Sequence, residues 1–233
     1  MSEGRFCQYE LRTKDVAAGL AFYEGLFGKE FWTSNVTIGP LPERAAARGV
    51  PSHWLGHIGT ANVEDTAHRI EAFGGQRLGV TQPNGDGSAR AALRDPFGAV
   101  MGVSSHEPRT GSGAVAWHLL HTTEHRRAFD VYAALFGWRA IELVDFGSGL
   151  GSHQTFAWND SSEPAGSIAN SALMAHVHTH WQFYFPVADI ADSLAQARSL
   201  GAQVLAPVTS PTGAQFAACD DPQGAAFGLY QAG

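Results

Sequence analysis

The sequence repeats itself, and that repeat constrains the fold more than any other feature. Leu26-Phe27-Gly28 recurs as Leu135-Phe136-Gly137, and a tyrosine (Tyr23, Tyr132) stands three residues ahead of each leucine. His53-Trp54 recurs as His180-Trp181. Asp95-Pro96-Phe97-Gly98-Ala99 recurs as Asp221-Pro222-Gln223-Gly224-Ala225. Three anchors in one order describe two copies of a single architecture. Between the copies runs a Pro/Gly/Ser-rich stretch, Ser104 to Gly113, which reads as a linker. The expected domains are 1–105 and 114–233, joined by a linker at 106–113.

Each half divides again, giving modules at about 4–50, 51–105, 114–176 and 177–233. Val16, Leu20, Tyr23 and Phe27 fall at helical spacing and stop at Gly28. Similar stripes stop at Gly74, Gly137 and Gly201, where a glycine can end a helix in the left-handed conformation. Short strand-like runs precede the helices at Arg5–Arg12, Trp54–Thr60, Val115–His121 and Gln182–Val187. The second and fourth helices are followed by alternating runs, 89–94 with 99–104 and 215–219 with 225–230. Asp-Pro-x-Gly joins each pair, and its Asp, Pro and Gly suit the first, second and last positions of a type I turn, so these are hairpins.

Composition narrows the function. Among 233 residues, 15 Lys+Arg face 22 Asp+Glu, a net charge of −7. Nucleic acids and anionic membranes both reward clustered positive charge, so neither is an expected partner. No apolar run approaches the roughly 20 residues of a membrane span. The first residues lack the basic and apolar regions of a signal peptide, and only Cys7 and Cys219 occur, far apart. A cytoplasmic protein is expected.

The segment from Gly4 to Phe31, the run from Pro51 to Gly75 and the two Asp-Pro-x-Gly-Ala hairpins resemble the glyoxalase/bleomycin-resistance/dioxygenase (vicinal oxygen chelate) superfamily, in its tandem two-domain form. The resemblance implies an α+β fold of paired βαβββ modules, with curled mixed sheets and helices outside. One departure stands out: the stretch from Gly28 to His53 is far shorter than that from Gly137 to His180. It has room for a strand at Glu30–Ile38 and a short helix at Pro40–Gly49, so the first module is expected to be shortened by two strands. In the second half those strands are expected around Phe146, His153–Trp158 and Gly166–Asn170.

In metal-using relatives the resemblance implies four ligands, from the first and last strands of both modules of a domain. In the first half these places fall on Gln8, the shortened segment, Leu55 (with His57 one strand period further) and Gly102. In the second half they fall on Trp117, Ala165–Ile168, Gln182 and Gly228. A divalent site needs several donors converging, and these positions supply few. No cofactor is therefore expected; Gln8, Glu10 and His57 are the residues that could form an off-register metal site.

Gln8, Glu10 and Arg12 alternate onto one strand face, which either lines a pocket or is simply solvated. His57 is read as a ligand or as a hydrogen-bonded wall residue. Trp117, His121 and Tyr184 either face an aromatic cleft or pack the core, with Gln182 beside them. His176, His178 and His180 would present three imidazoles on one face of an extended chain, or belong to a plain crossover. The expected partner is a small organic molecule, bound by a monomer or homodimer. A metal-dependent lyase, isomerase or dioxygenase with non-standard ligands is the competing reading. No GxSxG, Walker-type or HExxH motif is present.

Overall fold

A computed structural model describes residues 3–84, 86–106, 115–146 and 151–233; of the expected linker only His106 lies among them. The fold is α+β, and four modules follow one another along the chain. The first holds β1 (Phe6–Thr13), α1 (Val16–Phe27), β2 (Val36–Pro40) and α2 (Glu43–Ala47). The second holds β3 (His53–Gly59), α3 (Val63–Ala72), β4 (Gln76–Arg77), β5 (Gln82–Pro83), β6 (Ala89–Arg94) and β7 (Val100–Ser104). The third holds β8 (Trp117–His121), α4 (His125–Phe136), β9 (Arg139–Asp145), β10 (Ser152–Ala157) and β11 (Gly166–Ala169). The fourth holds β12 (His180–Pro186), α5 (Ile190–Ser199), β13 (Gln203–Val204), β14 (Val208–Thr209), β15 (Gln215–Asp220) and β16 (Ala226–Gln231).

Local chemistry explains the helix boundaries. Asp15, Asn62 and Asp189 cap α1, α3 and α5, each side chain accepting from a backbone N–H three residues on. α4 lacks such a residue; Asn170 substitutes, its Oδ1 accepting from the His125 N–H at 2.7 Å. Glycines with positive φ follow all four expected helices, at Gly28, Gly74, Gly137 and Gly201.

In every module the first strand pairs parallel with the last: β3 with β7, β8 with β11, β12 with β16. In the first module that last place is taken by β2, parallel to β1 with Tyr9 opposite Val36. The two intervening strands are missing there, as the short segment implied. The expected strand over Glu30–Ile38 is shorter than read, beginning only at Val36; Lys29–Phe31 is a 3-10 turn. Its cause is aromatic: Phe31 lies parallel to Tyr23 at 5.7 Å and Trp32 nearly parallel to Trp54 at 6.3 Å, so both half-buried rings pack against the core.

The chain forms two compact units, each drawing on both sequence halves. One gathers Gly56–Pro108 and Trp117–Trp181 with the residues up to Cys7; the other gathers Gln8–Leu55 and Gln182–Gly233. Inside each unit the three repeated sequence anchors meet. In the first, the Trp181 indole N–H donates to the Tyr132 hydroxyl at 3.0 Å, which donates to Asp95 Oδ2 at 2.9 Å. Asp95 Oδ1 accepts from the backbone of Phe97 and Ala99, holding the Asp-Pro-x-Gly turn. In the second, Trp54 donates to Tyr23 at 2.8 Å, Tyr23 to Asp221 at 3.3 Å, and Asp221 holds Gln223 and Ala225. Burial raises the pKa of both carboxyls, against the lowering effect of these donors.

Candidate functional site

Glu10, His57 and Tyr184 are equivalent positions: each lies five residues before the N-cap of the following helix (Asp15, Asn62, Asp189). Two of them rest on glycine. His57 stands opposite Gly102 in the β3–β7 register, and Tyr184 opposite Gly228 in the β12–β16 register. A β-carbon at Gly102 would overlap the His57 imidazole, and one at Gly228 would overlap the Tyr184 ring. The third, Glu10, runs beside Gly39, its Oε1 3.3 Å from where a β-carbon would stand. Glycine is required here by close approach of a ring to the backbone.

In the unit that holds Gln8–Leu55 and Gln182–Gly233, Arg12 donates to Glu10 Oε2 at 2.8 Å, and both side chains are largely covered. His53, an anchor residue that the sequence reading did not single out as a site, belongs with them. Its pKa is lowered, first by burial and then by the Arg12 charge, while Glu10 and the Pro51 carbonyl pull it up. Gln8 shares the strand face of Glu10 and Arg12 and is half-buried. Gln182 and Tyr184 satisfy each other: the Tyr184 hydroxyl donates to Gln182 Oε1 at 3.3 Å, and the Gln182 amide donates to the Phe227 carbonyl at 2.8 Å. Both are buried. Phe216 meets Tyr184 edge-on at 5.6 Å.

The other unit carries the richer face. The Trp117 indole N–H donates to Ser167 Oγ at 3.2 Å, and His153 Nδ1 lies 3.3 Å from the same hydroxyl. Phe146 tilts over His153 at 4.6 Å. Four residues along β8, His121 Nδ1 meets Ser171 Oγ at 2.6 Å, and its ring stacks on His180 at 4.6 Å and 14°. His178 continues the stack at 4.5 Å. Burial, and then the neighbouring His121, push His180 down to about 3, so its ring is neutral at physiological pH. Trp117, His121 and His180 are each partly open to solvent. Sequence reading found Trp117 and His121 but passed over His153, Ser167 and Ser171, because isolated serines and a lone histidine carry no local signal. A separate hollow of about 240 Å³, lined by Thr60, Thr66, Arg69, Phe136 and Asn159 among others, belongs to the α3 and α4 helices and not to this face.

The residues at the four implied ligand places do not fit a glyoxalase-type metal centre. Gly102 and Gly228 offer no donor, and the room an acidic side chain would need there is taken by the His57 and Tyr184 rings. Gln182 is committed to Phe227 and Tyr184. The histidine run is not extended, since His176 has φ 68. The rings of His178, His180 and His121 are stacked, so their in-plane lone pairs run side by side instead of converging. Among the described residues no three His, Cys, Asp or Glu side chains gather as a metal-ligand set.

Residues 101–229 match the Glyoxalase/Bleomycin resistance protein/Dioxygenase superfamily, and the chain belongs to that family. It is 26% identical over 247 residues to the putative glyoxylase CFP32 of Mycobacterium tuberculosis, covering 95% of this chain and 92% of that one. It is 28% identical over 261 residues to the anthracycline biosynthesis protein DnrV of Streptomyces peucetius, covering 96% and 91%. Among solved structures, the 2,3-dioxygenase LapB from Pseudomonas sp. KL28 shares the fold at TM-score 0.66 and 12% identity, over 100% of this chain and 93% of that one. The Mn(II)-bound glyoxalase from Novosphingobium aromaticivorans does so at TM-score 0.64 and 13% identity, over 99% and 82%. No described helix is long and apolar enough to cross a membrane.

Proposed function

We propose that the chain binds a planar, oxygen-bearing organic molecule on the face formed by Trp117, His121, His153, Ser167 and Ser171, without a glyoxalase-type metal centre. The observation that carries this reading is a set of flat, partly open rings, Trp117, His121 and His180, two of them held in place from behind by the buried hydroxyls of Ser167 and Ser171. Trp117 and His153 both reach Ser167, and His121 reaches Ser171 beside the stacked His180. Rings supply apolar contact at little entropic cost, and a few fixed polar groups set orientation. The neutral His180 adds no charge to be desolvated by a ligand. Two relatives are named for anthracycline biosynthesis, and anthracyclines contain a flat, oxygen-substituted polycycle, so that class is the first to test. Glu10, Arg12 and His53, with Gln8, form a second polar set suited to a carboxylate or hydroxyl group.

The test combines metal analysis of the purified chain with titration of hydroxyanthraquinones, followed by Trp fluorescence and thermal shift. Saturable quenching and a raised Tm in a protein free of stoichiometric metal are expected, because a ligand that binds only the folded state stabilises it. One tightly held divalent ion per chain, with turnover lost on its removal and on replacing His57 and Glu10, would overturn this reading. It would instead establish a metal-dependent lyase, isomerase or dioxygenase.

A further inference from the structure

The repeated His-Trp anchor preserves more than its tryptophans. His53 opens β3 and His180 opens β12. The indoles of Trp54 and Trp181 run inward to Tyr23 and Tyr132. Successive side chains of a strand take opposite faces, so His53 and His180 are turned away from those relays. Each is half-buried. His53 Nδ1 lies 2.9 Å from the Pro51 carbonyl, and His180 Nδ1 lies 2.8 Å from the His178 carbonyl. A carbonyl can only accept, so in both rings Nδ1 carries a proton and donates it to the residue two places back. The other nitrogen, Nε2, is then the acceptor of the neutral ring. Among the described residues neither Nε2 meets a donor, and neither is sealed from solvent.

The surroundings suit a neutral acceptor. Burial lowers the pKa of both rings, and the next lowering influence is the Arg12 charge at His53 and the His121 ring at His180. Arg12 is already answered by Glu10 at 2.8 Å, which leaves no whole charge to draw an anion to His53. At His180 the parallel ring of His121 and the nearly parallel ring of His178 fix the plane of the imidazole. Such an acceptor favours a ligand that brings its own donor. A hydroxyl does so, and a carboxylate or a methyl ether does not.

We infer that His53 and His180 are matched hydrogen-bond acceptors for a phenolic or enolic hydroxyl, one in each compact unit, so that the chain takes two equivalents of a hydroxylated planar ligand. The ligand is the flat molecule of the binding reading above, on which this rests. Its hydroxyl donates to Nε2 and keeps its own proton.

The experiment is isothermal titration of the full chain at about pH 6 with 2-hydroxyanthraquinone and with its methyl ether. The hydroxyl compound is expected to fill two sites per chain, and the ether to bind roughly tenfold more weakly at both, the cost of an unmade hydrogen bond. His53→Phe and His180→Phe keep a flat ring and lose the acceptor, so each should remove the hydroxyl preference of one site and leave the other. The Gln variants, which carry an amide oxygen, should restore part of it. Melting of the free variants separates loss of the acceptor from loss of fold; a role confined to closing the turn before each strand would lower Tm and leave affinity unmoved. Nitrogen NMR of the unliganded protein adds a readout independent of any ligand, with Nδ1 protonated and Nε2 bare expected in both rings. The opposite tautomer in either ring overturns the inference. So does one site per chain, or two sites that take the ether as tightly as the hydroxyl. Absence of binding by both compounds overturns the binding reading itself, and this inference with it.

Discussion

The imidazole of His57 lies against the α-carbon of Gly102, in space that any other residue at position 102 would fill. Tyr184 bears the same relationship to Gly228 in the other unit. Glycine in the middle of the last strand is thus a seat for the ring of the first, and the ring and the bare backbone require each other.

Gly102→Ala should therefore destabilise the chain by about 1–3 kcal/mol through overpacking. His57→Ala in the same background should recover part of that loss, because the overlapping atoms are removed. Urea unfolding of both single variants and the double gives the coupling. Strictly additive effects would show that His57 does not occupy the space over Gly102.

Tyr132→Phe removes the donor to Asp95 and the acceptor of Trp181, and should cost about 2–4 kcal/mol, since two buried partners lose a hydrogen bond. Tyr23→Phe should act alike through Asp221 and Trp54. Comparable losses of Tm in both variants would confirm that the two relays are equivalent supports.

Their pH dependence has a definite sign. Burial raises the folded-state pKa of Asp95 and Asp221, so as pH rises the unfolded chain releases these protons first. Stability from these two groups is present below the ordinary carboxylate value and falls as pH climbs from there through the raised one. Asp95→Asn should flatten that part of the profile.

His118 works in the opposite direction. Its ring is fully buried, stacked on Phe6 at 4.9 Å and bonded to the Ala165 carbonyl, and burial lowers it to about 4. The unfolded chain takes up a proton near pH 6.5 that the folded chain refuses. Stability should drop by about 2 kcal/mol between neutral pH and about pH 5, and His118→Gln should remove that slope. A denaturant midpoint that changes equally in wild type and variant would count against this assignment.

On the proposed binding face, Trp117→Ala should weaken a hydroxyanthraquinone by roughly tenfold or more, since stacking on an indole contributes on the order of 1–2 kcal/mol. The Tm of the unliganded protein should change little, because Trp117 is only partly buried. Isothermal titration reads the first quantity and calorimetry the second.

Much of this architecture is written locally. Helix ends follow from Asp15, Asn62 and Asp189 at one terminus and glycines at the other, and the two hairpins follow from Asp-Pro-x-Gly. The repeat was legible as well, but not its purpose: nothing near Tyr23 in sequence says that its hydroxyl meets Asp221. The glycines at 102 and 228 were visible as missing acids, while the rings lying on them were not, since that packing depends on strand register. Ser167 and Ser171 acquire meaning only when β11 is laid beside β8, which brings them to Trp117 and His121.

The Tyr23–Asp221 bond also bears on how the protein is made. α1 leaves the ribosome long before Asp221 is synthesised, so its tyrosine waits without the carboxylate and turn that anchor it in the finished molecule. During that interval Phe22, Tyr23 and Phe27 are an apolar stripe without its cover, and a stalled or nicked nascent chain would present that stripe to chaperones.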